Sequence, residues 1–443
     1  MKNLLICAVA LLAAPALAAP PPEKDVAWDI TEGLTTEIGQ RLAGTAREAA
    51  ARDWSVARLK ALGFANVRVE PFTFPGWVRG AETAQVMAPF AHNLAVTALG
   101  YSAPTPAGGI EAELVYFASL DALKAAPAGS LTGKIAYIDH AMQPAQDGSS
   151  YGPMGQARRV GPSIAASKGA AAALIRSIGT DMHRNPHTGG TGWQAGVTPI
   201  PAGAISLPDA ELIKRIVARG KPVRLRLALE GRPVGPVQSG NVLAELKGRD
   251  PALPPILVAC HLDSWDLGTG AIDDAAGCGI ITAAALEASK AGKLARTIRV
   301  LWAGAEEVGV FGGAAYGAAH ADEPHALAME SDFGADKVWR VQFNLAPANA
   351  DLASRLAAAL APMGIHRGQG RAWGGADTGA IAAKQKVALI DLEQDGTRYF
   401  GLHHTPDDTL DKVDPVQLRQ SVEAWATVLK IVGDETGAIA PVE

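Results

Sequence analysis

From residue 241 onward the chain alternates short apolar runs with helical stretches, and this alternation constrains the fold more than any other feature. The runs at 242–246, 256–259, 297–303, 326–329 and 387–390 are rich in Val, Ile, Leu and Ala, as buried strands are. Helical periodicity separates them at 275–291 and 351–361, and a last helix at 415–432 opens on Pro415, which suits a first helical turn. Strands and helices alternating in this way predict an α/β fold with a mostly parallel central sheet covered by helices on both faces. In such sheets, ligands gather beyond the carboxyl ends of the strands.

Two zones precede this pattern. Residues 46–62 have helical periodicity and lead into an alternating, extended segment at 67–72, too small a unit to stand alone. Residues 89–236 are rich in Gly, Pro and Ala, with predicted strands at 112–117, 134–138, 172–175 and 223–229 and short helices at 162–168 and 209–218. The expected organisation is a unit made of residues 19–90 and 236–443, interrupted by a β-rich insert at 91–235.

The chain has 443 residues, 48% hydrophobic and 19% charged, enough for more than one core. Its net charge of −5 comes from interspersed charges with no basic block, which argues against a nucleic-acid partner. Residues 1–18 read as a signal peptide: Lys2 precedes an apolar run at 4–14, and Ala16, Leu17 and Ala18 form a small-x-small cleavage site. The run is shorter than the ~20 residues that span a bilayer. The mature protein is therefore expected to be exported, periplasmic or secreted, with no membrane span. Cleavage leaves two cysteines, Cys260 and Cys278, read as buried thiols with a single disulfide as the alternative.

Polar residues cluster at the predicted strand ends. His261 and Asp263 follow the run at 256–259, Asp273 and Asp274 open the next helix, and Glu306 and Glu307 follow 297–303. Asp332 follows 326–329, while His403 and His404 precede the final helix. Singly, each has an ordinary explanation: Asp273 or Asp377 as a helix cap, the Glu pair as a solvated turn, His404 as a surface residue. Together they set imidazoles and carboxylates at the ends of most strands of one sheet. Two His with three carboxylates suit zinc or a related divalent ion, with cobalt or manganese also accommodated. A carboxylate shared between two ions would give a paired hydrolytic site.

The segments HLDSWDLG with AIDDAAG, WAGAEEVGVFGG, MESDFG and HHTPDDT occur in this order and resemble the M28 zinc metallopeptidases, most closely their carboxypeptidase Q branch. The resemblance extends to RLAGT at 41–45, VEPFTFPGWVRGAE at 69–82, RRVGPSIAASKGAAAALIRS at 158–177 and IPAGAISLPDAELI at 200–213. It implies a two-zinc exopeptidase. Asp273 would bridge the ions, His261 and Asp332 would complete one site, and Glu307 and His404 the other. Glu306 would be the general base, and Asp263 would orient His261 through its second ring nitrogen. His403 falls where many relatives carry a Tyr that hydrogen-bonds the oxyanion; it either supplies that contact or packs beneath the loop. The resemblance further implies a protease-associated insert for the middle zone, short unblocked peptides as substrates and a possible homodimer. Arg158, Arg159, Arg371 and Arg398 are available for a substrate carboxylate. Two alternatives are a glutaminyl cyclase-like acyltransferase with one zinc and a non-catalytic binding protein. The complete ligand set and retained base favour the hydrolase.

Overall fold

The computed structural model describes residues 25–442, so the predicted signal peptide lies outside the described residues. The strands form two eight-stranded sheets. In the first, Ile298–Ala303, Ile256–His261, Leu327–Glu330 and Ala388–Gln394 run parallel side by side. Antiparallel partners flank them: Arg232–Leu246 and Ala65–Val78 on one side, Val338–Asn344 on the other. The sheet is thus mixed, with a parallel centre.

Period-two alternation divides the core between the sheet's two faces. Ile256, Val258, Cys260, Val300 and Trp302 pack with Ile280, Ile281, Trp425 and Val428 from helices Ala276–Ala288 and Pro415–Gly433. Leu257, Ala259, Leu301 and Ala303 pack with Tyr316 and Ile381 from helices Phe311–Ala319 and Gly379–Gln385. Burial on both faces explains why these strands read as continuous apolar runs. The strand Val338–Asn344, absent from the sequence expectation, is only partly buried.

The second sheet draws its strands from residues 82–229. Its centre, Ile110–Phe117, Ile135–Ile138, Ala172–Arg176 and Ala202–Ile205, is also parallel, flanked by antiparallel strands that include Arg224–Leu229 and Glu82–Ala88. The predicted helices appear as Gly161–Ser167 and Leu207–Val217. Among the described residues, no helix is long and apolar enough to cross a membrane.

The expectation of two buried thiols is corrected. Cys260 is the penultimate residue of its strand and Cys278 lies in the first turn of the helix that packs on it; their Cα atoms are 5.2 Å apart and the two sulfurs form a disulfide. The bridge also removes both thiolates as metal ligands.

Candidate metal centre

Most candidate residues sit where a parallel strand of the first sheet ends, whereas His403 and His404 follow the short helix Tyr399–Leu402. His261 is the last residue of its strand and Asp263 follows; Glu306 and Glu307 come after Ile298–Ala303, and Asp332 after Leu327–Glu330. Asp273 and Asp274 lie in the turn Ala271–Ala275 with non-helical backbone and a cis peptide bond between them, and Asp273 does not cap the helix that starts at Ala276. His404 has φ of 62°, an uncommon conformation for a β-carbon residue, and it aims the ring back at the strand ends.

Asp273 is the meeting point. His261 Nε2 lies 2.9 Å from its Oδ1 and 3.4 Å from Asp332 Oδ1. His404 Nε2 lies 3.4 Å from Asp273 Oδ2 and 2.9 Å from Glu307 Oε2. The structure therefore brings together all five residues assigned to metal binding, in two groups that share one carboxylate. Asp274 also approaches His261 and Asp332. Its oxygens, however, accept the His261 and Gly277 backbone amides, each at 3.1 Å, so its role is to hold the strand end against the helix. A Cβ at Gly277 would lie 2.1 Å from Asp274 Oδ1, which is why the second residue of that helix is glycine.

The donor set fits divalent cations. His261 Nδ1 is 3.0 Å from the Asp263 carbonyl, an acceptor only, so Nδ1 carries the proton and a neutral ring presents a lone pair from Nε2 toward two carboxylates. His404 Nδ1 is held in the same way, 3.1 Å from the Thr188 carbonyl. Lone pairs facing carboxylates repel unless a cation lies between them or the rings take up protons. Asp273 Oδ2 is buried with no hydrogen-bond partner, consistent with an oxygen that serves a metal.

The proton affinities show the same demand. Burial pushes the Glu307 carboxyl up to about 7, and Asp273 adds to the effect. Burial opposes charge on His404, yet Glu307 and Asp273 outweigh it and hold the imidazolium up at about 10. His261 is likewise raised: Asp332 and Asp273 overcome its desolvation. Burial also pushes Glu306 well above the usual carboxylate range. This is a buried site with too much negative charge.

Several assignments shift in detail. The expected partner of His261, the Asp263 carboxylate, is 3.8 Å from Nδ1, while the Asp263 backbone carbonyl is closer. The carboxylate instead accepts the Glu306 amide at 3.0 Å, coupling the two strand ends. His403 is buried, with its ring stacked on His404 at 3.5 Å between centroids and its Nδ1 unpartnered; burial and His404 hold it neutral. Asp266 pairs with Arg79, and Asp377 accepts the Gly313 amide. Arg371 and Arg398 are held by Asn344 and Asp336, whereas Arg158 and Arg159 line the cleft.

Arg41, quoted only within a motif, has a structural role that sequence could not assign. Fully buried, it donates to the carbonyls of Leu262, Thr269 and Gly270 and so fixes the loop between His261 and Asp273. Asp408 accepts the Ala271 and Ile272 amides at 2.7 and 2.8 Å from the far side. Tyr399 was also missed. It stacks on Phe333 at 4.9 Å between centroids, lines the cleft, and is kept a neutral phenol by burial and by Asp273.

The cleft over this cluster has a volume of about 660 Å³ and includes Glu306, Glu307, Asp273 and Asp332 on one wall. Tyr151, Arg158, Arg159 and Thr191, from the segments between strands of the second sheet, form the facing wall.

Comparison with known proteins identifies the family of the chain. Residues 241–429 match the model of Peptidase family M28. Carboxypeptidase Q from Bos taurus is 33% identical over 405 residues, covering 90% of this chain and 84% of the relative, and carboxypeptidase Q from Homo sapiens gives the same figures. A peptidase M28 precursor from Shewanella amazonensis has a solved structure with TM-score 0.91 and 42% identity, covering 95% of this chain and 96% of that one. The zinc aminopeptidase BSAP from Bacillus subtilis shares the fold at TM-score 0.65 and 20% identity, with 94% and 97% coverage. With this site at the ends of its strands, the chain belongs to peptidase family M28 and is a metallopeptidase.

Proposed function

We propose that the protein is an exported exopeptidase that holds two zinc ions and hydrolyses short peptides with a free amino terminus. The observation that carries this reading is the Asp273 carboxylate set between two imidazoles, each with a carboxylate of its own. His261, Asp273 and Asp332 would hold one ion and Asp273, Glu307 and His404 the other. Similarity to carboxypeptidase Q and to a zinc aminopeptidase supports zinc and exopeptidase chemistry. The division into a peptidase unit and a protease-associated insert is supported by the separate second sheet.

Two divalent ions in this position supply electrophilic assistance to the peptide carbonyl and increase the acidity of water. The protein's own groups do the rest. Glu306 lines the cleft, and a carboxyl with raised proton affinity is suited to take a proton from the attacking water and return it to the leaving amine. Asp263 sets the Glu306 backbone by accepting its amide. Neutral His403 is assigned as a hydrogen-bond donor to the developing oxyanion, with the Tyr399 phenol beside it at 5.0 Å between ring centroids. The carboxylate excess suits a substrate ammonium group, which gives the preference for unblocked termini.

The test is a substrate panel on zinc-loaded protein: a dipeptide, a tripeptide, the N-acetylated dipeptide and a peptide with N-terminal Gln. Release of amino acids from the unblocked peptides, with the acetylated one inert, is expected. Cyclisation of the Gln peptide without hydrolysis would favour the acyltransferase, and no turnover of any of them the binding protein.

A further inference from the structure

Arg158 and Arg159 end the helix Tyr151–Arg159 on the wall of the cleft that faces the carboxylates. Arg158 is 6% exposed. Its Nη1 donates to the Thr188 carbonyl at 3.2 Å and also lies 3.2 Å from His404 Nδ1; its Nη2 donates to the Tyr151 hydroxyl at 2.7 Å. Its Nε is buried with no partner. Arg159 is half-buried and donates from Nη2 to the Gly152 carbonyl at 2.7 Å. The groups that accept from the two guanidinium groups are carbonyls and a hydroxyl, never a carboxylate, and His404 Nδ1, itself a donor to the Thr188 carbonyl, is a neighbour rather than an acceptor.

This contrasts with the buried Arg176, which is satisfied by Asp139 and Glu211. An unpaired cation withdrawn from water is costly, and two adjacent ones repel. Arg159 accordingly holds its proton less firmly than usual, through burial first and Arg158 second. Among the described residues, none provides a carboxylate partner to either guanidinium. The cleft is therefore lined by both carboxylates and guanidinium groups, and a zwitterionic substrate matches that pairing of charges.

We propose that Arg159, with the buried charge of Arg158 behind it, receives the free α-carboxylate of the residue released by cleavage, so that the second-sheet wall sets substrate length. An arginine fork fits a carboxylate with two parallel hydrogen bonds, which a terminal amide cannot reproduce. The inference rests on the exopeptidase reading above and adds to it the residue that recognises the far end of the substrate.

The experiment compares kcat/KM for Ala-Leu, Ala-Leu-amide and Ala-Glu-amide in zinc-loaded native protein and in Arg159→Gln and Arg159→Lys. Arg159 is half-buried, which makes it a safer substitution than Arg158. The native enzyme is expected to prefer Ala-Leu over both amides by about 10-fold or more, the scale of a charge-assisted contact. The preference should shrink to within about twofold in Arg159→Gln, mostly through KM, and survive in part in Arg159→Lys. Equal use of acid and amide by the native enzyme, a preference unchanged in Arg159→Gln, or Ala-Glu-amide cleaved as well as Ala-Leu would each overturn the assignment. If none of the three is cleaved, the exopeptidase reading fails, and this inference with it.

Discussion

The two sheets have the same plan, four parallel strands flanked by antiparallel ones, yet they treat charge at their strand ends in opposite ways. In the second sheet, Asp139 follows Ile135–Ile138, Arg176 ends Ala172–Arg176, and the Tyr116 hydroxyl donates to Asp139 at 2.5 Å. Arg176 pairs with Asp139 and with Glu211, so the charges there cancel internally. In the first sheet, Asp273, Glu306, Glu307 and Asp332 surround two imidazoles, and the nearby buried Arg41 is spent on backbone carbonyls. A balanced buried cluster is architecture; an unbalanced one is a place for a cation. Parallel topology alone does not make a site.

Substitutions can break this contrast. Glu306→Gln should lower turnover by about 10²–10⁴-fold while zinc content stays at the native level, as measured on one sample by steady-state kinetics and metal analysis. Loss of metal along with activity would place Glu306 among the ligands instead. On the other sheet, Arg176→Ala leaves Asp139 buried and unpaired. Urea unfolding should show a loss of about 3–5 kcal/mol, with turnover per folded molecule retained; a collapse of turnover in the folded variant would mean that the second sheet's cluster is not merely architectural.

Asp263→Ala probes the link between strand ends, because it removes the acceptor of the Glu306 amide and leaves the backbone carbonyl that holds His261. Its effect should be smaller, about 10-fold in turnover with zinc affinity near the native value, read by steady-state kinetics and by competition with a chelating dye. Native turnover in this variant would remove the Asp263 carboxylate from the account.

The pH dependence of the metal-free protein sharpens the comparison further. Glu307, raised to about 7, and His404, raised to about 10, both keep more protons when folded than when unfolded. Their contributions to stability are present at low pH and decline as pH rises above the ordinary values of about 4.5 and 6.5 for these groups. Asp273 is shifted the other way, by its imidazole neighbours against its burial, and acts below that window. Thermal unfolding of chelator-treated protein should therefore give a higher Tm near about pH 5 than near about pH 7.5. Zinc should narrow the difference by replacing those protons. A metal-free Tm that rises over this interval would contradict the charge excess.

Much of this was legible in the sequence because the strands that carry the site are buried on both faces and read as unbroken apolar runs. His261, Glu307 and Asp332 follow those runs within a few residues, Asp273 opens the next helix and His404 precedes the last one, so their convergence could be expected from the alternation of strands and helices. The strand Val338–Asn344 was not seen, since its partial burial weakens the apolar signal. Nor was Ala202–Ile205, where small side chains carry little pattern. The disulfide depends on a strand and a helix meeting, and a spacing of 18 residues does not announce that. Arg41 and Arg158 act through contacts with residues over 200 positions away, beyond any local pattern. The Asp263 role was read from the side chain, whereas the backbone carbonyl makes the closer contact.

The central claim is that Asp273 joins two cation sites that the carboxylate excess creates. Zinc titration of the metal-free protein, followed by calorimetry and by dipeptide hydrolysis in parallel, tests it most directly. The account predicts two equivalents bound per chain, with turnover appearing as they fill and both equivalents weakened together in Asp273→Asn. Binding of one equivalent or none, or turnover that persists without metal, would contradict it.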